Sequence, residues 1–141
     1  MVRRLWFYWE RIRLGRPLPA MRDVDPQRLP VDWSECFVVP IAEGGGEPRF
    51  EYVGDSLIVD CGQDPTNRPV SSVPADTLLG RSTGCLAEAV TRRAPVIVEG
   101  RFRHTAGDDV LLRGIVLPFS RDRKTIDYLL GATSCRRLTG A

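Results

Sequence analysis

Apolar residues recur along this chain with two different periods, and the change of period divides it. In "MVRRLWFYWERIRL", Val2, Leu5, Trp6, Tyr8, Trp9 and Ile12 fall within an arc of about 160° when each residue turns the backbone by about 100°. The spacing predicts an amphipathic helix over 1–15. Phe7 and Leu14 form a thin second stripe among Arg3, Arg4 and Arg11. Gly15 and then Pro17 mark its end. The next stretch, "RPLPAMRDVDPQRLP", carries Pro17, Pro19, Pro26 and Pro30, which prevent a continuous helix or central strand and make 16–34 a loop. Within it Asp25-Pro26 reads as a turn or helix start with Asp as its cap, and Arg22 is placed to pair with Asp23 or Asp25.

From 35 onward the period is two. "ECFVVPIA" predicts a strand over 36–41, with Phe37, Val39 and Ile41 on one side. "EGGGEP" is a hairpin connection, and "RFEYVG" predicts an antiparallel partner over 49–53 with Phe50 and Tyr52 on one face. The middle returns to helical spacing. "DSLIVDCG" predicts a helical turn or two from Asp55. Cys85, Leu86, Ala89 and Val90 share one face of a longer helix that Pro95 ends. Gly80 and Gly84 suggest a break between two helical pieces; "GRSTG" there could also offer backbone donors to an anion. Three more strands are expected over 96–103, 110–117 and 125–131. The turns "TAGDD" and "SRDRK" lie between them, and 136–141 is left as a tail. Two strands, inserted helices and three strands make an α+β plan, with the domain proper over 35–135.

Composition changes the picture little. A charged fraction of 27% and a net charge of +2 are those of an ordinary globular chain and give no argument for a nucleic-acid partner. No apolar run approaches the roughly 20 residues of a membrane span. A clean apolar core with a small-residue cleavage site is not seen either, so a signal peptide is not expected and the expected location is cytoplasmic. Cys36, Cys61, Cys85 and Cys135 are dispersed without a C-x-x-C pair, which points to reduced thiols and not to a metal site.

The order helix, two strands, helices, three strands is that of the PAS sensor fold. The chain more narrowly resembles a family of small stand-alone bacterial PAS-like proteins. The residues that carry the likeness are the aromatic N-terminal helix and the Arg-x-x-Asp-Pro loop, Arg22-Asp23-Val24-Asp25-Pro26. "LPFSRDRKTIDYLLGA" extends it, where Leu117, Pro118, Ser120, Asp122 and Asp127 match. Two positions depart from the pattern. Arg123 stands where the family has a turn glycine, and Asn67 follows Thr66 where a Thr-Gly pair is common; Asn tolerates positive φ better than most residues. The resemblance implies the fold and a regulatory role, and names no common activity.

Known PAS-type sensors hold haem, flavin or small metabolites between the sheet and the long helix. His104 is the single histidine, so a His–His metal site within one chain is excluded. No Asn-Cys-Arg-Phe-like motif, P-loop, G-x-S-x-G or dinucleotide fingerprint is present. The cofactor is therefore unknown. The expected function is a sensory or regulatory module acting through protein–protein contacts with an unidentified signalling partner. The alternative is a ligand-free dimerising adapter; an enzyme of another α+β fold is the least supported reading. A ligand pocket is expected among Leu86, Val90, Val98, Phe102, His104, Leu112, Gly114, Val116 and Tyr128, because Gly100 and Gly114 remove bulk opposite the small side chains Cys85, Ala87 and Ala89. The broad face of the N-terminal helix is expected to cap this chain's own core, covering one side of the sheet, or to meet the matching helix of a second copy. In the second case a homodimer forms through Leu5, Trp6, Trp9 and Ile12, since a large exposed apolar patch is rarely tolerated on a monomer. A membrane surface is the weaker use for that helix.

Overall fold

The computed structural model describes residues 1–42 and 44–138. Helix α1 spans Val2–Ile12, where the apolar spacing placed it. It stops because Leu14 and Gly15 turn left-handed, at φ 50° and 77°. Arg16 then reaches back: its guanidinium donates to the carbonyls of Arg13 (2.8 Å) and Ile12 (2.9 Å) and pairs with Asp23 at 2.6 Å. A cation on the last carbonyls of a helix suits its dipole. Asp23 thus pairs with Arg16, and Arg22 makes no ion pair among the described residues, which corrects the expected Arg22 pairing.

Strands β1 (Cys36–Pro40), β2 (Tyr52–Val53), β3 (Val96–Arg103), β4 (Asp109–Phe119) and β5 (Tyr128–Arg137) form one antiparallel sheet in the order β2-β1-β5-β4-β3. Helices α2 (Asp55–Cys61), α3 (Leu78–Thr83) and α4 (Leu86–Arg92) lie between β2 and β3 in the chain. The register gives two faces. Phe37, Gly131, Val116 and Val96 form one row, and Cys36, Ala132, Ile115 and Ile97 the next row on the opposite face. The first face, here the inner one, meets α3 and α4. The outer face meets α1, whose Trp9 indole Nε1 donates to the Pro118 carbonyl at 2.8 Å. Because both faces of its centre are covered, β1 is buried along most of its length.

Several boundaries differ from the sequence pattern. β2 is short because the chain joins β1 only from Glu51 onward. Phe50 exchanges backbone hydrogen bonds with Arg68 and Asn67 in a neighbouring loop, while Glu51 still donates to Val38. Phe50 and Tyr52 therefore do not share a face. The Phe50 ring packs edge-on against Phe37, and the Tyr52 ring stacks on Trp33 at 4.6 Å. β4 runs through Pro118 to Phe119. β5 starts at Tyr128, not 125, and continues through Arg136 and Arg137 into the expected tail, of which 139–141 lie outside the described residues. The break expected at Gly80 and Gly84 falls at Gly84, between α3 and α4, and the helix that carries Leu86, Ala89 and Val90 is only seven residues long. The "GRSTG" segment runs through α3 toward its C-terminal end, so it offers no anion site at a helix start. Gly80 is there for close approach: a Cβ would fall 2.1 Å from the Pro74 carbonyl oxygen.

Candidate functional site

On the inner face a half-open cleft of about 190 Å³ lies beside edge strand β3, lined by Arg81, Val98, Glu99, Gly100, Arg101, Phe102 and Leu112. Three expected pocket residues, Val98, Phe102 and Leu112, come together here. Arg81, Gly100 and the flanking charges complete it. The Arg81 guanidinium sits 4.8 Å from the Phe102 ring centroid and pairs with Asp76 at 2.7 Å, so its charge is already met on two sides.

The other expected pocket residues are elsewhere. Leu86 and Val116 are buried, Val90 is half-buried, and none of the three lines the cleft. Gly114 opens no space: a Cβ there would stand 2.7 Å from the Ala132 carbonyl oxygen and 3.0 Å from Thr133. Close backbone approach, not a cavity, is what Gly114 provides. Tyr128 is on the outer face, opposite Phe119 and Pro40, with its hydroxyl 3.2 Å from Glu51. One residue of strand parity separates it from Gly131 and Val116. His104 is not on the cleft rim. Its Nδ1 accepts from the Ala106 amide at 3.0 Å, and its Nε2 lies 2.9 Å from Asp60 Oδ1, off the axis of a good hydrogen bond. Asp60 Oδ2 in turn accepts from the Leu78 amide at 2.8 Å. This largely buried pair ties the end of β3 to α2 and to the start of α3. The imidazole is held at Nδ1 by the Ala106 amide and faces Asp60 at Nε2, away from the β3 cleft.

The thiols are chemically quiet. Burial pushes Cys36 up to about 12 and Cys85 up to about 11, each reinforced by nearby carboxylates, so neither forms a thiolate near neutral pH. Burial raises Cys61 and Cys135 as well. Among the described residues no cluster of three His, Cys, Asp or Glu side chains could hold a metal ion.

The residues that carried the family resemblance meet at one end of the sheet. The Ser120 amide donates to the Pro19 carbonyl at 2.9 Å, and the Asp127 amide to Phe119 at 3.0 Å. Asp122 Oδ1 accepts from Ser120 Oγ (2.9 Å) and from the amides of Lys124 (2.9 Å) and Thr125 (2.8 Å). Those donors, the backbone amides first, hold the Asp122 carboxyl down to about 2. Their work is to fasten the N-terminal loop to the β4–β5 turn.

The expected dimer face is largely used up inside the chain. Leu5 and Trp9 are 1% and 3% exposed, and Trp6 and Ile12 are half-buried. Of the two expected uses of this face, covering the chain's own sheet is the one seen, and Leu5 and Trp9 are not available to a second copy. The α1 residues that face solvent are Arg3, Arg4, Phe7 and Arg11. Sequence reasoning assigned Phe7 to a minor stripe and missed Ile97 and Leu111. All three are exposed: Ile97 and Leu111 on the part of the outer face that α1 leaves bare, and Phe7 on α1 in the groove beside Ile97. The signal for this lay in β3 and the first half of β4, where apolar residues alternate with charged ones and so expect solvent on one side.

A family model for the PAS domain matches residues 1–134. The chain belongs to the PAS domain family. No curated protein matches its sequence. Among solved structures, it resembles the LOV domain of the blue-light-activated histidine kinase of Erythrobacter litoralis EL346, at 12% identity and a TM-score of 0.51. That match covers 73% of this chain and 95% of that one. It also resembles the light-state dimer of the fungal blue-light photoreceptor Vivid, at 16% identity and a TM-score of 0.52, covering 91% and 92%. A LOV domain studied with a flavin analogue matches at 8% and 0.51, covering 72% and 76%. These likenesses show the fold. The residues of this PAS domain do not fit a flavin between sheet and helices. Phe37 lies so close over Gly131 that a Cβ there would fall 2.1 Å from its ring, Gly114 is closed by β5, and the inner cleft is smaller than the roughly 300–1,000 Å³ of ordinary ligand sites.

Proposed function

We propose that this PAS domain is a regulatory module, not an enzyme, that acts by protein–protein contact through the bare part of its outer sheet face. The observation that carries this reading is the uncovered apolar surface: Phe7, Ile97 and Leu111 are 63%, 46% and 39% exposed, beside a sheet centre that is otherwise buried. Side chains fill the space where light-sensing relatives of this fold work, so regulation by contact suits the geometry better than cofactor chemistry. A cytoplasmic location fits, and no helix of the described residues is long and apolar enough to cross a membrane.

Two narrower readings have specific support. Dimerisation is supported by the light-state Vivid structure, which is a dimer on the same architecture. A small polar ligand in the β3 cleft is supported by the charged residues Arg81, Glu99 and Arg101 in its lining. Native mass spectrometry of the gently purified protein separates them. The contact reading expects the bare chain of 15.8 kDa, or its complex with another polypeptide. A bound small molecule whose loss lowers the melting temperature would transfer the function to the cleft.

A further inference from the structure

The bare outer face is not only apolar; it is basic in a definite arrangement. In the cross-strand row Arg101–Leu111–Arg136, an exposed leucine sits between two arginines. Neither arginine has a carboxylate within ion-pair distance among the described residues, and the same holds for Arg3 and Arg4 on α1. The neighbouring pairs, Arg113–Glu99 at 3.9 Å and Arg103–Asp109 at 3.5 Å, are long and exposed, and so are worth little. Next to this row a groove of about 340 Å³ runs between α1 and the strands, lined by Val2, Arg3, Trp6, Phe7, Ile97 and Arg113.

We infer that this face docks an acidic amphipathic helix of another protein, an inference that rests on the contact reading above and names its partner chemistry. The rows of Ile97 and Leu111 stand four residues apart along β4, about 13 Å. Two turns of a helix advance about 11 Å, so apolar side chains two turns apart reach both rows. Acidic residues beside them then meet Arg101 and Arg136, and the groove takes one apolar side chain on Ile97. Charge argues against the other occupants. A two-fold contact between copies would press this arginine-rich face against itself. A lipid surface accepts projecting side chains, whereas the groove is concave. A nucleic-acid duplex offers phosphates to the arginines but no apolar side chains to cover Phe7, Ile97 and Leu111.

The test uses a fluorescent helical peptide with leucine at heptad positions a and d and glutamate elsewhere, titrated into the full chain by anisotropy. Its counterpart with lysine in place of glutamate, phosphatidylglycerol vesicles and a DNA duplex serve as competing probes. The Glu peptide is expected to bind, to weaken as salt rises, and to bind about tenfold more weakly to R101E/R136E and to Leu111→Ser. Val59→Ser, an exposed apolar site on α2, is expected to leave binding unchanged. Circular dichroism confirms that each variant is folded. Equal binding of the Lys peptide, indifference to R101E/R136E, or a preference for vesicles or DNA overturns the inference. If the same variants instead dissolve a homodimer measured by sedimentation, the inference fails while the contact reading stands. If peptide, vesicles, DNA and second copy all ignore this face, both fail.

Discussion

Arg123 holds φ 68° in the β4–β5 turn, at the position where the family pattern has glycine. A side chain in that region costs roughly 1–2 kcal/mol, and glycine returns part of the gain as unfolded-state entropy. Arg123→Gly is therefore expected to stabilise the domain by up to about 1 kcal/mol in urea unfolding, since the carbonyl that accepts from Arg93 is retained. Asp122 in the same turn gives a pH prediction. Its folded pKa of about 2 lies below its ordinary value of 3.8, so its contribution is fully present above that value and is lost as pH falls through about 2. The carboxyl carbon shift should titrate near pH 2, and the Lys124 and Thr125 amides should move with it. A midpoint near 4 would show that those hydrogen bonds do not form. Trp9 is the third residue with a sharp expectation. Trp9→Phe removes the donor to Pro118 and leaves that carbonyl without its indole partner, a loss of about 1–3 kcal/mol.

At the scale of elements, the glycines of the sheet divide by what surrounds them. Gly114→Ala and Gly131→Ala must displace the Ala132 carbonyl or the Phe37 ring, and each is expected to cost roughly 1–3 kcal/mol. Nothing lies within 4 Å of a Cβ at Gly100, so Gly100→Ala should be neutral or slightly stabilising. Thermal unfolding of the three variants decides it: equal effects at 100 and 114 would contradict the packing. These same positions show what was legible beforehand. Periodicity located α1 and all five strands; β3 and the first half of β4 alternate because one face meets solvent, whereas β1 is a short apolar run buried on both faces. It could not say which face of a strand meets which helix. Gly100 and Gly114 thus read alike, although one is open and the other closed by β5. Tyr128 was grouped with residues of the opposite parity, and Phe50 was paired with Tyr52 across a turn in the chain that no local pattern announces. Leu5 and Trp9 were visible as apolar, but their burial against β4 depends on a contact made more than a hundred residues away.

For the whole molecule, the consequence is an asymmetric sheet. The inner face is covered by α3 and α4 except for the cleft beside β3; the outer face is covered by α1 over its centre and bare over β3 and the start of β4. This bare area is where we propose that the domain meets its partner. The most direct measurement places a photo-crosslinking amino acid at position 111 in the native host and, as a control, at position 59, which is apolar and more exposed but lies on α2. A discrete crosslinked protein band is expected from position 111 that position 59 does not give. Identical band patterns at both positions, or a band from position 59 alone, would contradict it.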